Sequence, residues 1–550
     1  MKKLFSMSVA VLAASLMLTG CNCFKSTVKR ADGVQVKTMP EVLTLKGTTV
    51  TVEYDVTVPE KFVSKKGTIK MIPVLVYNGQ EQMGVTRYIQ GEKVKANNQV
   101  VTKDGAVLKY TDTFKYNPEM LDSRLELRFE VQCKEDGEYR EVYRETIAEG
   151  TSAIQELIAV ASPEGMATAP DKFQRVTVES QSADIMFEIN RSNVRRSQLT
   201  SEEIKTLEQF IADNTNADRR TLGKLYSKSY ASPDGPLKFN NKLSEDRSKS
   251  TKTAISRNKA FKGVAMDFDA LGEDWDGFRK LVEASDIADK NLILQVLNMY
   301  SDPEKRDEEI KNMTAVFDIL KVKILPELRR SHLAIDVEVQ GLTDEELMAA
   351  VSSDINKLNL EEMLFAATLY DNCAKKAEIY KAVAAKYPND FRAYNNLAKI
   401  SAIEGNAAKA REYINKAAKL NAKAPEVITN MGVIAMMEGN YAQARKDLSS
   451  VNTPESRYSM SVLEVLEGNY DKATSLTGYN KAVLSVLRGN LSEANVILSG
   501  MDCPCAKALS AVVEAKQGNQ SAAQSLLNEA KKGCGERNIM VVERELSLLK

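Results

Sequence analysis

From about Val36 to Gln132 hydrophobic and polar residues alternate, in stretches such as VLTLKGTTVTVEYDVTV, GTIKMIPVLVYNG and SRLELRFEVQC. A period of two, rich in Val, Thr, Ile and Tyr and broken at Asn78-Gly79 and Asp104-Gly105, predicts strands and turns. The expectation is an all-β, sandwich-like module over 36–150. The alternation then lapses in EGTSAIQ and ASPEGMATAPDKF, whose Pro, Gly and Ala content predicts a linker over 151–172. Beyond it the pattern becomes mixed. VTVESQSADIMFEIN reads as a strand, and TSEEIKTLEQFIADN as a helix with Thr200 as N-cap and Glu203 completing a capping box. TLGKLYSKSYA is a second strand, a turn and a helix follow, and SHLAIDVEVQG supplies a late strand. That succession predicts an α/β sandwich over 173–341. A helical insertion at about 261–328 contains EDWDGFRKLVEASDIADKNLILQVL and SDPEKRDEEIKNMTAVFDIL, with Pro303 near a helix start. The fold class expected is therefore multidomain α+β.

From 345 to 550 the pattern is helical and repetitive. Gly-Asn pairs recur at Gly405-Asn406, Gly439-Asn440, Gly468-Asn469, Gly489-Asn490 and Gly518-Asn519. The first interval is 34 residues, and the stretch resembles tetratricopeptide (TPR) repeats, which have that period. Tyr394, Leu397, Ala398, Ala410 and Ala417 fit the family's large and small positions. The later intervals of 29, 21 and 29 residues require shortened helices or loops. The resemblance implies a TPR-like solenoid whose groove binds protein partners.

The first residues combine Lys2 and Lys3 with an apolar run from Ser6 to Leu18. That run is shorter than the roughly 20 residues a membrane-spanning helix needs, so it reads as an export signal. Leu18-Thr19-Gly20-Cys21 resembles the lipobox of bacterial lipoproteins. By that resemblance 1–20 is a signal peptide, Cys21 is lipidated, 21–35 is a tether, and the protein is anchored at the outer membrane facing the periplasm. Charge is balanced, with 75 Lys+Arg against 75 Asp+Glu, so no basic field draws nucleic acid. The single histidine, His332, leaves little material for a nucleophile-base or multi-histidine metal site. It reads as a histidine beside a strand. No cofactor, metal or enzymatic activity is expected.

Cys23, Cys133 and Cys373 are scattered, whereas Cys503, Cys505 and Cys534 cluster without a fourth ligand for zinc. If CAKALSAVVEAKQGN and QSAAQSLLNEAKKG form an antiparallel helix pair, Cys505 and Cys534 lie side by side. One of Cys503 or Cys505 is then expected to bond to Cys534.

IMFEIN followed by YASPDGPLKFNNKLSEDRSKS resembles the OmpA-like, peptidoglycan-associating domain. Gly235, Asn240, Leu243, Ser244 and Arg247 match its motif, while Ser232 stands where the family has its ligand-binding aspartate and Ser248 where it usually has alanine. The resemblance implies a pocket for the ammonium and carboxylate of a diaminopimelate end on the peptide stem. Arg247 and the start of the helix would meet the carboxylate. The ammonium would fall to the Ser232 hydroxyl or to the Asp234 carboxylate. The function expected is a non-catalytic envelope lipoprotein that links the outer membrane to peptidoglycan and scaffolds protein partners. The alternative is an accessory or assembly factor for a surface-fibre or secretion complex, with a vestigial pocket.

Overall fold

Alternation turns into two sheets because successive side chains of a strand face opposite ways. The computed structural model describes residues 22–134 and 137–549. In one sheet Gln35–Met39, Thr49–Val58, Leu43–Lys46 and Thr151–Ser152 lie in that order, and Ala106–Lys115 adds to Thr49–Val58. In the other the order is Arg140–Glu149, Arg124–Gln132, Thr68–Tyr77, Arg87–Gln90 and Gln99–Val100, with Gln80–Met83 also on Thr68–Tyr77. Val50, Val52, Tyr54 and Val56 of the first sheet share a core with Ile69, Met71, Leu127 and Phe129 of the second. Each such fully buried side chain contributes about 1.5–3 kcal/mol. Asn78 and Gly79 both take positive φ, 43° and 72°, the backbone that a two-residue hairpin demands. A short helix, Asn22–Val28, is stapled to the module by a Cys23–Cys133 disulfide. The sequence pattern had left those two cysteines unassigned.

The chain divides into two compact units, one made of residues to Pro170 together with those from Tyr370 on, the other of Asp171–Leu369. The first unit therefore combines the β module with the C-terminal helices. Five helix pairs or part-pairs begin at Phe391–Ile403, Pro425–Met437, Pro454–Leu466, Gly478–Leu487 and Pro504–Lys516. Each Gly-Asn dipeptide is a stop followed by a start. The glycine ends one helix at a positive φ (80° at Gly405, 75° at Gly439), and Asn406, Asn440 and Asn490 cap the next by accepting a main-chain N–H. The 21-residue interval has a plain cause: after Pro454–Leu466 the second helix is reduced to one 3-10 turn, Tyr470–Lys472. Small residues set the packing distance. A Cβ on Gly432 would sit 2.7 Å from Leu448 Cγ.

In the second unit a four-stranded sheet runs Val176–Met186, Arg330–Gln340, Arg220–Ala231, Met266–Glu273. Only the last pairing is parallel. Helices Glu202–Asn214 and Leu237–Ser256 cover it, with Ile204, Leu207, Ile211 and Ile255 packed on Ile185, Leu225, Leu333 and Ile335. Three details differ from expectation. Strand Met266–Glu273 occupies the start of the expected insertion, whose four helices run from Trp275 to Lys323 around their own core of Phe278, Val282, Ile293 and Leu320. The N-cap is Ser201, which accepts from Ile204 N. Glu203 instead accepts from Asp184 N, tying helix to sheet rather than completing a capping box. Helices Asp344–Ser353 and Leu360–Thr368, expected to open the repeats, belong to this unit. Its two ends are tied together: Lys172 N donates to Glu361 and the Phe173 and Phe365 rings stack at 4.6 Å.

Cys505 and Cys534 are disulfide-bonded with Cα atoms 4.9 Å apart, while Cys503 is free and exposed. Closing a 29-residue loop stabilises by about 3–4 kcal/mol in the chain-entropy model. Cys534→Ser is expected to lower the urea midpoint of the oxidised protein and to leave that of the reduced protein nearly unchanged. Equal midpoints for the two oxidised proteins would remove the stabilising role of the bond.

Candidate functional site

The motif residues of the second unit meet where strand Arg220–Ala231 ends and helix Leu237–Ser256 begins. Asp234 N donates to Ser232 O in the intervening turn. Asn240, buried on the first helical turn, reaches back with Nδ2 to Ser232 O (3.1 Å), Gly235 O (3.2 Å) and Glu273 Oε1 (2.8 Å). Four residues on, Ser244 accepts from Gly272 N. Three more bring Arg247, so Asn240, Ser244 and Arg247 share one helix face. Part of the motif is thus explained by folding alone, since these side chains lock helix to strand and turn.

Arg247 is fully buried. Its guanidinium donates from Nη1 to Tyr230 O (2.7 Å), from Nε to Arg191 O (3.0 Å) and from Nη2 to Glu188 O (3.2 Å). It also lies 5.0 Å from the Phe187 ring centroid. Among the described residues no carboxylate comes within 4.0 Å of it. Burial first, and then the nearby Arg329 charge, pull it down to about 10, while Asp234 opposes. A buried cation paired only with carbonyls is costly, and a ligand anion would relieve that cost.

Arg329 completes the cluster and had no local sequence signal, being 95 residues from Asp234. Its Nε donates to Ser232 Oγ (3.2 Å) and its Nη2 lies 3.4 Å from Asp234 Oδ2. Ser232 Oγ donates to Asp234 Oδ1 at 2.6 Å. Ser232 therefore serves to hold the Asp234 carboxylate. Two guanidiniums flank the Asp234 carboxylate, a set that can meet a carboxylate with the arginines and an ammonium with Asp234. Burial holds the Glu273 carboxyl up despite donations from Asn240 and Trp275. Asp307, from the inserted helices, is held up by burial as well, and the Asp234 charge adds to that push. His332 Nδ1 lies 2.7 Å from Asp184 Oδ1 on the neighbouring strand. Cys21 lies outside the described residues.

A second polar constellation lies in the first unit. Residues 153–170, expected as a linker, run along the first helices of the repeats, and Met166, Ala167 and Ala169 are buried there. Asn396, Asn430, Ser459 and Asn480 each stand nine residues before the glycine of a Gly-Asn pair, and each is buried. Asn480 both donates to Ala159 O and accepts from Ala159 N, at 2.8 Å each. Asn430 does the same to Ala167 and Asn396 to Ala169. Ser459 Oγ donates to Gly165 O. The regular recurrence of a polar residue inside an apolar helix is the sequence signal for this constellation.

No protein-family model and no curated protein matches the chain. Among solved structures, a tetratricopeptide repeat protein from Parabacteroides merdae is 18% identical, over 38% of this chain and 90% of its own, with a TM-score of 0.29. PilW, a type IV pilus biogenesis factor, is 15% identical over 35% of this chain and 86% of its own, with a TM-score of 0.21. Native alpha-2-macroglobulin from Escherichia coli is 10% identical over 93% of this chain and 65% of its own, at 0.14. Likenesses at these scores carry no argument about function. The helical-repeat character of the C-terminal part rests on the chain's own helix pairs.

Glu273 gives a pH prediction. Its native carboxyl is raised, so the native state holds that proton more tightly than the unfolded chain. The resulting stabilisation is complete below the ordinary carboxylate range and is lost as pH rises through the raised native value. Glu273→Gln is expected to flatten that part of the stability profile in denaturant titrations between pH 4 and 7 (roughly the interval above the ordinary carboxylate value). A wild-type slope retained in the variant would assign it to other groups.

Proposed function

We propose that the chain is a non-catalytic envelope lipoprotein, anchored at the outer membrane through Cys21, whose second unit is an OmpA-like domain holding the zwitterionic end of a peptidoglycan stem. The observation that carries this reading is the buried Arg247 guanidinium, without a carboxylate among the described residues, beside the Arg329–Asp234 pair. In the proposal the ligand carboxylate approaches Arg247 and Arg329, and the ammonium meets Asp234. The strand order of the unit and the helix face formed by Asn240, Ser244 and Arg247 support the domain assignment. Protein partners of the repeats form part of the same proposal. They would have to contend with residues 153–170 on the first helices.

One observation favours the accessory or assembly reading, in which the pocket is vestigial: three of the Arg247 donations end on main-chain carbonyls. Sedimentation with isolated sacculi separates the two. Asp234→Asn, which keeps the shape of the turn, and Arg247→Met are each expected to weaken retention at least about tenfold. That is the scale of losing one charge-assisted hydrogen bond at about 1.5–3 kcal/mol. Full retention by a folded Asp234→Asn protein, or no retention of wild type, would leave the pocket vestigial. Separately, Cys21→Ala is expected to abolish palmitate labelling and release the protein from outer-membrane fractions. Unchanged labelling would exclude Cys21 as the acylated residue.

A further inference from the structure

We infer that the face formed by the first helices of the repeats is a peptide-binding groove that reads main chain, and that the chain keeps it filled with its own residues 153–170. The inference is independent of the pocket in the second unit. Four features of the geometry carry it.

The clamps are repeat-periodic. A polar side chain nine residues before the Gly-Asn glycine contacts the segment in each of the first four units, the last has the apolar Leu509 there, and in the first unit the adjacent Asn395 adds a donation to Ala167 O (3.1 Å). A core would not need buried amides at such regular positions, since an unsatisfied buried amide is costly. The clamps also read backbone. Asn480, Asn430 and Asn396 each take both the N–H and the C=O of one residue. A side-chain amide offers one donor group and one acceptor, which is the complement of a peptide unit.

Third, the bound residues are small. The three doubly clamped positions are alanines, the Ser459 contact falls on Gly165, and Thr168 between two clamped alanines is exposed. The ligand class is therefore a segment with small residues at the clamped positions and a turn at 163–165 between the first clamp and the last two. Fourth, a cation fixes the turn at 163–165. Lys399 Nζ donates to Met166 O (2.7 Å) and Thr168 Oγ1 (3.0 Å), and burial holds that lysine down. The segment runs opposite to the order of the repeats, Ala159 on the fourth and Ala169 on the first. Because the ligand is tethered, its effective concentration is high. An outside segment of the same chemistry enters only by displacing it.

The test uses the full chain. Ala167→Pro with Ala169→Pro deletes the two N–H groups that donate to Asn430 and Asn396 and puts a ring carbon in place of each hydrogen, which weakens both clamps. A fluorescent peptide of residues 157–170 is expected to bind this variant with a dissociation constant at least tenfold below that for wild type, whose groove is filled. Adding Asn430→Ala should weaken the peptide at least tenfold again. Failure of the peptide to bind a variant with native helical content, or binding indifferent to Asn430→Ala, overturns the proposal. Should the double proline variant not fold, hydrogen exchange of wild type decides. A displaceable ligand lets the Ala159, Ala167 and Ala169 amides exchange at least tenfold faster than the slowest amides of helix Pro425–Met437. Exchange of both sets at one rate makes the segment an inseparable part of the core and overturns it.

Discussion

A main chain that leaves water must find a partner for each N–H and C=O, and residues 153–170 meet that demand in two ways: the N–H groups of Glu156, Ile158, Gly165 and Met166 bond to carbonyls of the segment itself, and side chains of the repeats take both groups of Ala159, Ala167 and Ala169. Much of the first unit depends on this. The asparagines are buried at positions where apolar residues would pack more cheaply. The segment in turn lends Ile154, Leu157, Ile158 and Met166 to the core of the helices. At its start Gln155 bonds both N and O of Gly47, in the turn after Leu43–Lys46, and also the carbonyl of Leu466 and the hydroxyl of Tyr470. One glutamine thus joins the β module, the segment and the repeats. Arg537 adds an ion pair to Glu156 at 2.7 Å.

The same requirement, applied to a charge, shapes the second unit. Arg247 is among the largest fully buried side chains, and its three carbonyl contacts draw the loop at 188–191 and the end of strand Arg220–Ala231 around the guanidinium. This satisfies hydrogen bonds but supplies no formal negative charge. Its structural role is thus to lock that loop to the strand end.

Period-two and helical patterns made the β module and the C-terminal helices legible, because burial on one face imposes those periods locally. Gly-Asn was legible as punctuation for the same reason: an αL stop and an N-cap are properties of adjacent residues. Strand Met266–Glu273 was less so. Its burial pattern is irregular, and strongly helical sequence follows it directly. Thr200 and Ser201 both suit an N-cap, and only the geometry of the first turn chooses between them. At the candidate site, Ser232, Asp234, Gly235, Asn240 and Arg247 lie within one short stretch, so a motif could bring them together. Arg329, just before strand Arg330–Gln340, and Glu273, at the end of strand Met266–Glu273, are distant in sequence and had no such signal. The Cys23–Cys133 bridge spans 110 residues, a distance over which spacing says nothing. Residues 153–170 looked like a linker because their composition is that of one. What gives them a fixed path is the sequence of the helices they lie on.

The first unit is discontinuous, with Asp171–Leu369 placed between the segment and the helices that clamp it. Asn480 lies 321 residues beyond Ala159, and Asn430 lies 263 beyond Ala167. A chain made at about 5–20 residues per second presents the segment tens of seconds before its clamps exist. The intervening unit, closed at its own ends by Phe173 and Phe365, shortens the effective loop that must be closed. Such closure costs only about 0.6 kcal/mol per doubling of length. The assembly of the first unit is therefore ordered in time. The β module and the inserted unit can complete themselves early, and residues 153–170, made before the helices that clamp them, are seated last.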